Sequence, residues 1–285
     1  MRKLLNTIFI LNEEVYLTVE NENLVAMIGS KVADRKPLHN IETIICFSHK
    51  GASPYLMGAC ASRQIGLVFL TPYGRFLARV QGETQGNVYL RKTQYKVSED
   101  EMASLEISKS FMLGKFYNSR SVLTRVKRDH SLQVDENKLQ TVTGYIKNCL
   151  NDINEVNNLD SLRGLEGSVA RMYFSVFDEL ILQNKEEFFF RERSKRPPMD
   201  RVNALLSFFY TLLTNDCANA LESVGLDSYI GFMHQDRPGR KSLALDIMEE
   251  LRAHMVDRFV VTLINKRIIR PNHFIETETG AIRFT

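Results

Sequence analysis

Two carboxylates near the carboxyl end of the chain have the residue types of a metal or acid–base site. Asp246 and Glu249 are three residues apart, shortly after Ser242, which can cap the start of a helix. Side chains at this spacing project from one face of a helix, so the pair predicts a hard anionic surface. Solvated carboxylates on an ordinary helix give the same pattern, and this alternative stays open.

His234 precedes this predicted helix in a segment that contains Pro238-Gly239, a pair typical of a loop or turn. A connection this short allows the imidazole to fold back against Asp246 and Glu249. The three side chains would then form a potential ligand set. A lone histidine in a loop is more often a surface or structural residue, which is the alternative here.

Glu166 is flanked by Gly164 and Gly167 in the first turns of another predicted helix. The glycines leave space for a second backbone or a substrate beside the carboxylate. The alternative is a glutamate favoured by the helix dipole and packed for helix contact. One imidazole combined with carboxylates suits Mg²⁺ or Mn²⁺ better than zinc, and such ions indicate phosphate chemistry.

Basic residues concentrate in three stretches around these candidates, and we expect them to contact a DNA backbone. Such contacts fix position rather than read sequence, and they weaken steeply with salt. Solvated helix surface is the alternative, because the net charge is only +3. The stretches contain Lys115, Arg120, Arg125, Lys127 and Arg128; Arg191, Arg193, Lys195, Arg196 and Arg201; and Arg237, Arg240 and Lys241.

The candidate residues fall in a part of the chain with helical apolar periodicity. Ser98 and Glu101 form an S-x-x-E capping box, which predicts the start of a long helix. Asp200 is a candidate N-cap for a later helix, and Gly225 is a candidate stop. Four helices are predicted after the first, over 135–155, 161–183, 200–223 and 242–266.

The first 95 residues have the short apolar runs of β-strands. Polar connections between the first runs indicate a β-meander, and a short helix is predicted after Pro54. The predicted strands cover 7–11, 15–19, 24–28, 41–47, 66–70 and 75–80. The predicted fold class is α+β, with a β-rich, β-sandwich-like domain over 1–95 and an all-α domain over 96–285.

The composition excludes several classes of protein. A chain of 285 residues is long enough for about two domains, and 44% hydrophobic residues with 25% charged residues exclude disorder as the main state. No apolar stretch approaches the roughly 18 residues of a membrane span, so no membrane partner is expected. Cys46, Cys60, Cys149 and Cys217 lack metal or redox spacing and are expected to be buried thiols in a reducing compartment.

Four motifs, in order along the chain, resemble those of the CRISPR-adaptation integrases, the first-numbered family of Cas proteins. The resemblance extends over nearly the whole chain and is closest to the type I-C branch. Four ordered motifs are far more specific than any one of them. The motifs are Gly164-Leu165-Glu166-Gly167, Asp200-x-x-Asn203-Ala204-Leu205-Leu206-Ser207-Phe208 with Tyr210, Gly231-Phe232-Met233-His234, and Leu245-Asp246-Ile247-Met248-Glu249-Glu250-Leu251-Arg252.

The resemblance implies a β-rich dimerisation and partner-docking domain followed by an all-α catalytic domain. It implies that Glu166, His234 and Glu249 are ligands of Mg²⁺ or Mn²⁺. Asp246 would be an adjacent, supporting catalytic residue. A homodimer joined to the small second-numbered Cas protein is also implied, and so is a cytoplasmic, prokaryotic location.

Further expectations follow from the same resemblance. Asn203 and Tyr210 would shape the pocket, and the basic groups would line a path for double-stranded DNA, both the spacer precursor and the CRISPR repeat. The fourth-numbered Cas nuclease is a candidate partner that would trim this DNA. Relatives run on through further helices beyond the position of Thr285.

The implied activity is insertion of new spacer DNA by attack of a 3′-hydroxyl on a phosphodiester, a transesterification. The sequence has no G-x-x-x-x-G-K-[ST] loop, in agreement with an exchange that needs no ATP. Two other functions stay open. One is a metal-dependent endonuclease that cuts branched or linear DNA by hydrolysis. The other is a non-catalytic, basic DNA-binding scaffold.

Overall fold

Residues 7–83 form seven strands and one α-helix in this computed structural model, which describes residues 7–83 and 88–284. Ser53 caps the helix by accepting a hydrogen bond from the N–H of Leu56 at 3.2 Å, so the helix predicted after Pro54 is confirmed. The elements are β1 (Thr7–Ile10), β2 (Val15–Glu20), β3 (Asn23–Ile28), β4 (Lys31–Pro37), β5 (Thr43–Cys46), α1 (Pro54–Ser62), β6 (Gly66–Leu70) and β7 (Phe76–Val80).

These strands form two sheets. One has the order β1-β5-β6-β7, with parallel pairing from β1 to β6 and antiparallel pairing between β6 and β7. The other is the antiparallel meander β2-β3-β4. Side chains from both sheets and from α1, including Leu17, Ile44 and Leu56, share one buried cluster. The β-rich, sandwich-like character predicted for this half is confirmed.

The pairing of the strands differs from the prediction in two places. β1 does not open a meander, because it pairs in parallel with β5. Apolar periodicity identifies a strand but does not identify its partner. The meander instead ends with β4, which was not predicted because every one of its residues is exposed and no apolar alternation marks it.

Helices dominate the second half of the chain. Contacts divide the protein into Met1–Asn87 with Glu222–Gly225, and Val88–Leu221 with Leu226–Thr285. The helical unit therefore begins at Val88, earlier than the predicted 95/96 boundary. Its elements are α2 (Val88–Glu99), α3 (Glu101–Asp129), α4 (Glu136–Asp152), α5 (Leu159–Ser175), α6 (Arg201–Ser223), α7 (Ser242–Leu251), α8 (Arg258–Asn265), β8 (Phe274–Glu276) and β9 (Ile282–Phe284).

The ends of the helices correct one of the predicted caps and confirm another. The long helix α3 is capped by Asp100, whose carboxylate accepts from the N–H of Ala103 at 3.0 Å. Ser98 does not cap it, because this serine belongs to α2 and its hydroxyl donates to the carbonyl of Tyr95. Asp200 does cap α6, accepting from the N–H of Asn203 at 2.7 Å.

The helix predicted over 242–266 is interrupted. A π-helical segment, Arg252–Asp257, separates α7 from α8. Single-turn π segments are rare and frequently occur at functional sites. Ser242 is not an N-cap here, since its hydroxyl donates to the carbonyl of Gln235 and makes no capping bond.

All four cysteines are buried and unpaired, as predicted. Burial raises the pKa of Cys60 to about 11 and that of Cys217 to about 12, so both remain protonated thiols at neutral pH. Within the described residues, no helix has the length and apolar character needed to cross a membrane.

Candidate active site

Three helices of the second unit bring two carboxylates onto one ammonium group. Lys115 on α3 pairs with Glu166 in the middle of α5 and with Glu249 on α7, where Nζ lies 2.7 Å from Oε2. Lys115 is 8% exposed and Glu249 is 4% exposed, whereas the side chain of Glu166 is 24% exposed, so the cluster is buried at Lys115 and Glu249 and reaches the surface at Glu166. Buried charges persist only where they are paired, which makes this cluster a specific arrangement.

Glu249 remains ionised in spite of its burial. Burial acts to raise its pKa, but the charges of Arg252 and Lys115 outweigh this effect and lower the pKa to about 2. Arg252 Nη1 lies 3.1 Å from Oε1 of the same carboxylate.

Asp246 holds the loop that carries the histidine. Its carboxylate is fully buried and accepts the backbone N–H groups of Phe232, Met233 and His234 at 2.7, 3.1 and 3.0 Å. Its Oδ1 also lies 2.6 Å from Nδ1 of His234. A proton on Nδ1 leaves the lone pair of a neutral imidazole on Nε2, the arrangement of a ligand or base. Asp246 is therefore a residue that orients His234.

The structure corrects the predicted anionic surface on α7. Asp246 and Glu249 are both buried, and they face different partners, the loop with His234 and the ammonium of Lys115 respectively. The solvated-face alternative is wrong for both residues. The position predicted for Glu166 in its helix is also wrong, because Glu166 lies in the middle of α5 rather than in its first turns.

The histidine loop has two further attachments. Arg163 donates from Nε and Nη2 to the carbonyl of Met233 at 2.9 and 2.7 Å. Gly231 passes so close to α7 that a β-carbon there would lie 2.7 Å from Cβ of Ser242 and 2.8 Å from Oδ2 of Asp246. The glycine is required by this close approach.

We expect Gly231→Ala to destabilise the protein by roughly 2 kcal/mol and to reduce its activity, because one of the close atoms is backbone and cannot move aside. Chemical denaturation measures the loss. The matched control is Gly144→Ala on α4, where no described atom lies within 4 Å of the new methyl group. Equal stability of the two variants would contradict the close packing of this loop.

Arg252 contacts a buried network of one aspartate and two tyrosines. Asp257, at the end of the π-helical segment, accepts the hydroxyl groups of Tyr210 at 2.5 Å and Tyr173 at 3.0 Å. The guanidinium groups of Arg252 and Arg193 lie 4.9 and 5.4 Å from the centre of the Tyr210 ring. Such contacts orient a cation over a ring face. Tyr210 thus supports the arginine that holds Glu249.

The stability of the protein should depend on pH through the titration of the Asp257 carboxyl. Burial raises its pKa to about 6, although the hydrogen bonds from both tyrosines oppose this effect. The folded protein then binds a proton more tightly than the unfolded chain, so its stability falls as pH rises from about 4 to above 6. Relative to Asp257→Asn, the wild-type protein should lose roughly 3 kcal/mol over this interval.

Urea titrations of both proteins at pH 4.5 and 7.5 measure this difference. The subtraction removes titrations that the two proteins share, including that of Asp216, whose pKa burial also raises to about 6. A wild-type stability that moves in parallel with that of Asp257→Asn across this interval would show that the carboxyl titrates normally.

Asn203 has a structural role in the same region. Its side chain is fully buried, with Oδ1 accepting from Arg193 at 2.6 Å and from the N–H of Ser194 at 3.1 Å. Its Nδ2 donates to the carbonyl of Glu192 at 2.8 Å. Asn203 therefore fixes the segment that carries Arg193 beside Tyr210.

Several residues expected on a DNA path have other partners. Lys115 is paired with the two carboxylates, and the half-buried Arg193 contacts Asn203 and the Tyr210 ring. Lys195, in contrast, is exposed. Sequence reasoning missed the roles of Lys115, Arg163, Tyr173, Arg252 and Asp257.

The position of Lys115 among apolar residues of α3 is a sequence signal of a buried lysine. Lys115 is three residues after Met112 and one before Phe116, both fully buried members of the core. A lysine on the apolar side of a helix must find a buried partner. The described residues contain no cluster of three or more His, Cys, Asp or Glu side chains placed to hold a metal ion, and the ammonium of Lys115 pairs with both carboxylates.

Comparisons with known proteins agree with this architecture. A family model described as CRISPR associated protein Cas1 matches residues 8–285. The chain is 43% identical over 282 residues to CRISPR-associated endonuclease Cas1 1 of Chlorobaculum tepidum, covering 99% of this chain and 82% of that protein. It is 47% identical over 289 residues to CRISPR-associated endonuclease Cas1 2 of Rhodospirillum rubrum, covering 100% and 83%.

Solved structures share the fold. A casposase bound to integration product matches with a TM-score of 0.81 and 25% identity, covering 99% of this chain and 79% of that one. A chain of a partial Cas6-RT-Cas1–Cas2 complex matches with a TM-score of 0.67 and 25% identity, covering 99% and 84%. The family model and the relatives extend over nearly all of the sequence. This chain therefore belongs to the Cas1 family of CRISPR-associated proteins.

Proposed function

We propose that this protein is a metal-dependent DNA integrase that inserts spacer DNA into a CRISPR array. The observation that carries the proposal is the sharing of one cation by Glu166 and Glu249, together with a His234 oriented by Asp246, in a member of the Cas1 family. The names of its relatives, endonucleases and a casposase with an integration product, support phosphodiester chemistry on DNA.

The donor types of these side chains suit a divalent ion. Glu166 and Glu249 already converge on a positive charge, the ammonium of Lys115. His234 has its Nδ1 engaged by Asp246, which leaves Nε2 available as a nitrogen donor. Carboxylate oxygens with one imidazole suit Mg²⁺ or Mn²⁺. We assign Glu166, His234 and Glu249 as the residues that would hold this ion.

In the proposed reaction, the oxygen of a DNA 3′-hydroxyl forms a bond to phosphorus, and the bond from that phosphorus to the 3′ oxygen of the target strand breaks. One phosphodiester replaces another, and the proton lost by the attacking hydroxyl is balanced by the proton gained by the leaving oxygen. When bound, the divalent ion polarises the scissile phosphodiester and stabilises its developing charge.

The chain's own residues prepare this site. Glu249 is held as a carboxylate by Arg252, and Asp246 fixes the ring of His234 in one orientation. Arg252 packs on the ring of Tyr210, whose hydroxyl donates a hydrogen bond to Asp257. Pre-positioned groups of this kind lower the cost of reorganisation during reaction. Of the predicted basic residues, Arg237 is suited to contact DNA phosphates, because it is exposed on the loop that carries His234, and Arg240 on the same loop is half-buried.

We also propose the assembly in which this activity operates. The β-rich unit would mediate a homodimer and docking of the small Cas2 protein, since a related Cas1 chain occurs in a Cas1–Cas2 complex. Double-stranded DNA, as spacer precursor and CRISPR repeat, would bind the helical unit. A Cas4 exonuclease would trim the precursor.

A plasmid integration assay tests the reaction. The substrate is labelled double-stranded DNA with either 3′-hydroxyl or 3′-dideoxy ends, with Mn²⁺, Mg²⁺ or EDTA and with or without Cas2. We expect joining with 3′-hydroxyl ends and divalent metal, and none with dideoxy ends or EDTA. Cutting that persists with dideoxy ends would identify a hydrolytic endonuclease. DNA binding that persists in EDTA, without joining or cutting under any condition, would favour a DNA-binding scaffold.

A further inference from the structure

Lys115 is a buried lysine whose ammonium has two carboxylate partners from helices far apart in sequence. It contacts Glu166 and Glu249, and its side chain is 9% exposed. Removing an ammonium from water is costly, so its position between the two carboxylates depends on their charges. The same ammonium offsets the repulsion that two neighbouring carboxylates would otherwise have.

The charges of this cluster are balanced without any further cation. Glu166 and Glu249 supply two negative charges, and Lys115 and Arg252 supply two positive charges within ion-pair distance of them. A divalent ion bound by both carboxylates would lie where the ammonium now lies. Two cations at such a distance repel strongly where the side chains are buried, as they are at Lys115 and Glu249. Metal binding and the present position of Lys115 are therefore mutually exclusive.

We propose that Lys115 is a positioning residue that takes the place of the metal ion in the metal-free protein. Its ammonium keeps Glu166 and Glu249 together, and it competes with the divalent ion for them. Metal binding then requires the ammonium to move away, and the affinity for metal is set by this competition. The inference rests on the proposed function only in assigning these carboxylates to the metal.

Manganese affinity provides the first test. Lys115→Met, which preserves the aliphatic stem, should bind Mn²⁺ at least tenfold more tightly than the wild-type protein in titrations followed by electron paramagnetic resonance. The matched control is Lys109→Met, which removes the same charge from the same helix. Lys109 is similarly buried, but it pairs with Glu106 at 2.8 Å rather than with the site.

The outcomes separate this inference from the proposed function. Equal or weaker Mn²⁺ binding by Lys115→Met than by the wild-type protein would overturn the competition while leaving the metal site intact. Absence of binding in both proteins, or binding that is insensitive to Glu249→Gln, would overturn the metal assignment and the inference together.

A second measurement uses the wild-type protein and does not depend on a variant that folds. The protein is treated briefly with an amine-acylating reagent with and without Mn²⁺, and modification of each lysine is quantified by mass spectrometry. Modification of Lys115 should rise several-fold when Mn²⁺ is present, while that of Lys109 should not change. A Lys115 that stays equally protected in the metal-loaded protein would show that the ammonium does not leave the carboxylates.

Discussion

Glu249→Gln is expected to reduce strand joining by roughly a thousandfold or more while leaving the fold and most of the DNA affinity intact. The wild-type side chain has a pKa of about 2, so it is a carboxylate at every pH at which the enzyme would be assayed. Glutamine has nearly the same shape but no charge, so it removes the ligand without opening a cavity. The change also leaves Arg252 and Lys115 with one fewer anionic partner.

The joining rate under single-turnover conditions and the DNA affinity are measured separately for this variant. The control is Glu250→Gln, the same substitution at the next residue of α7, because the ion pairs of Lys115 and Arg252 among the described residues involve Glu249 and not Glu250. Joining by Glu249→Gln within tenfold of the wild-type rate would exclude this carboxylate from the reaction. A loss shared equally by both variants would point to a general effect on α7.

Apolar periodicity was sufficient to predict most elements of this fold. The helices over 136–152 and 201–223 bury regular apolar stripes, and their extents differ from the predicted ones by only a few residues. The exposed strand β4 and the parallel pairing of β1 with β5 could not be predicted in the same way. Both depend on hydrogen bonds to a partner strand, which leave no periodic pattern in the sequence.

The candidate site was predictable in its residue types but not in its internal partners. Spacing on α7 indicated that Asp246 and Glu249 lie near each other, and the structure assigns them different tasks. The difference arises because the two side chains lie on one face of α7 but about one turn apart along it, so each contacts a different neighbour in a crowded interior. No local pattern identifies the neighbours, since Lys115 precedes Glu249 by more than a hundred residues.

The interruption of the last predicted helix had consequences for the site. A continuous α-helix was expected over 242–266, and the π-helical segment Arg252–Asp257 replaces part of it. Its first residue, Arg252, pairs with Glu249, and its last, Asp257, binds Tyr210 and Tyr173. Those tertiary contacts have no counterpart in helix propensity, which explains why the sequence did not indicate the change of register.

Asp246→Asn should lower the affinity for divalent metal by about 10- to 100-fold and destabilise the protein by roughly 3 kcal/mol. The wild-type carboxylate accepts three backbone N–H groups and contacts Nδ1 of His234. An asparagine has a single acceptor oxygen, and its NH₂ group would face donors that it cannot bind. The histidine loop would then lose its anchor, and the imidazole would lose the anion that sets its tautomer.

These two effects of Asp246→Asn are separated by measuring metal affinity well below the melting temperature and stability by chemical denaturation. Asp236→Asn is the matched control, because Asp236 is an exposed residue of the same loop, two positions after His234. We expect that control to keep both its metal affinity and its stability. Asp246→Asn could lose stability and still bind Mn²⁺ as tightly as the wild-type protein. In that case His234 needs no orientation by Asp246, and the assignment of His234 as a metal ligand fails. That result is expected if the buried Asp246 only stabilises the loop. If Asp246 also orients the imidazole toward a cation, its substitution must lower both the stability and the metal affinity.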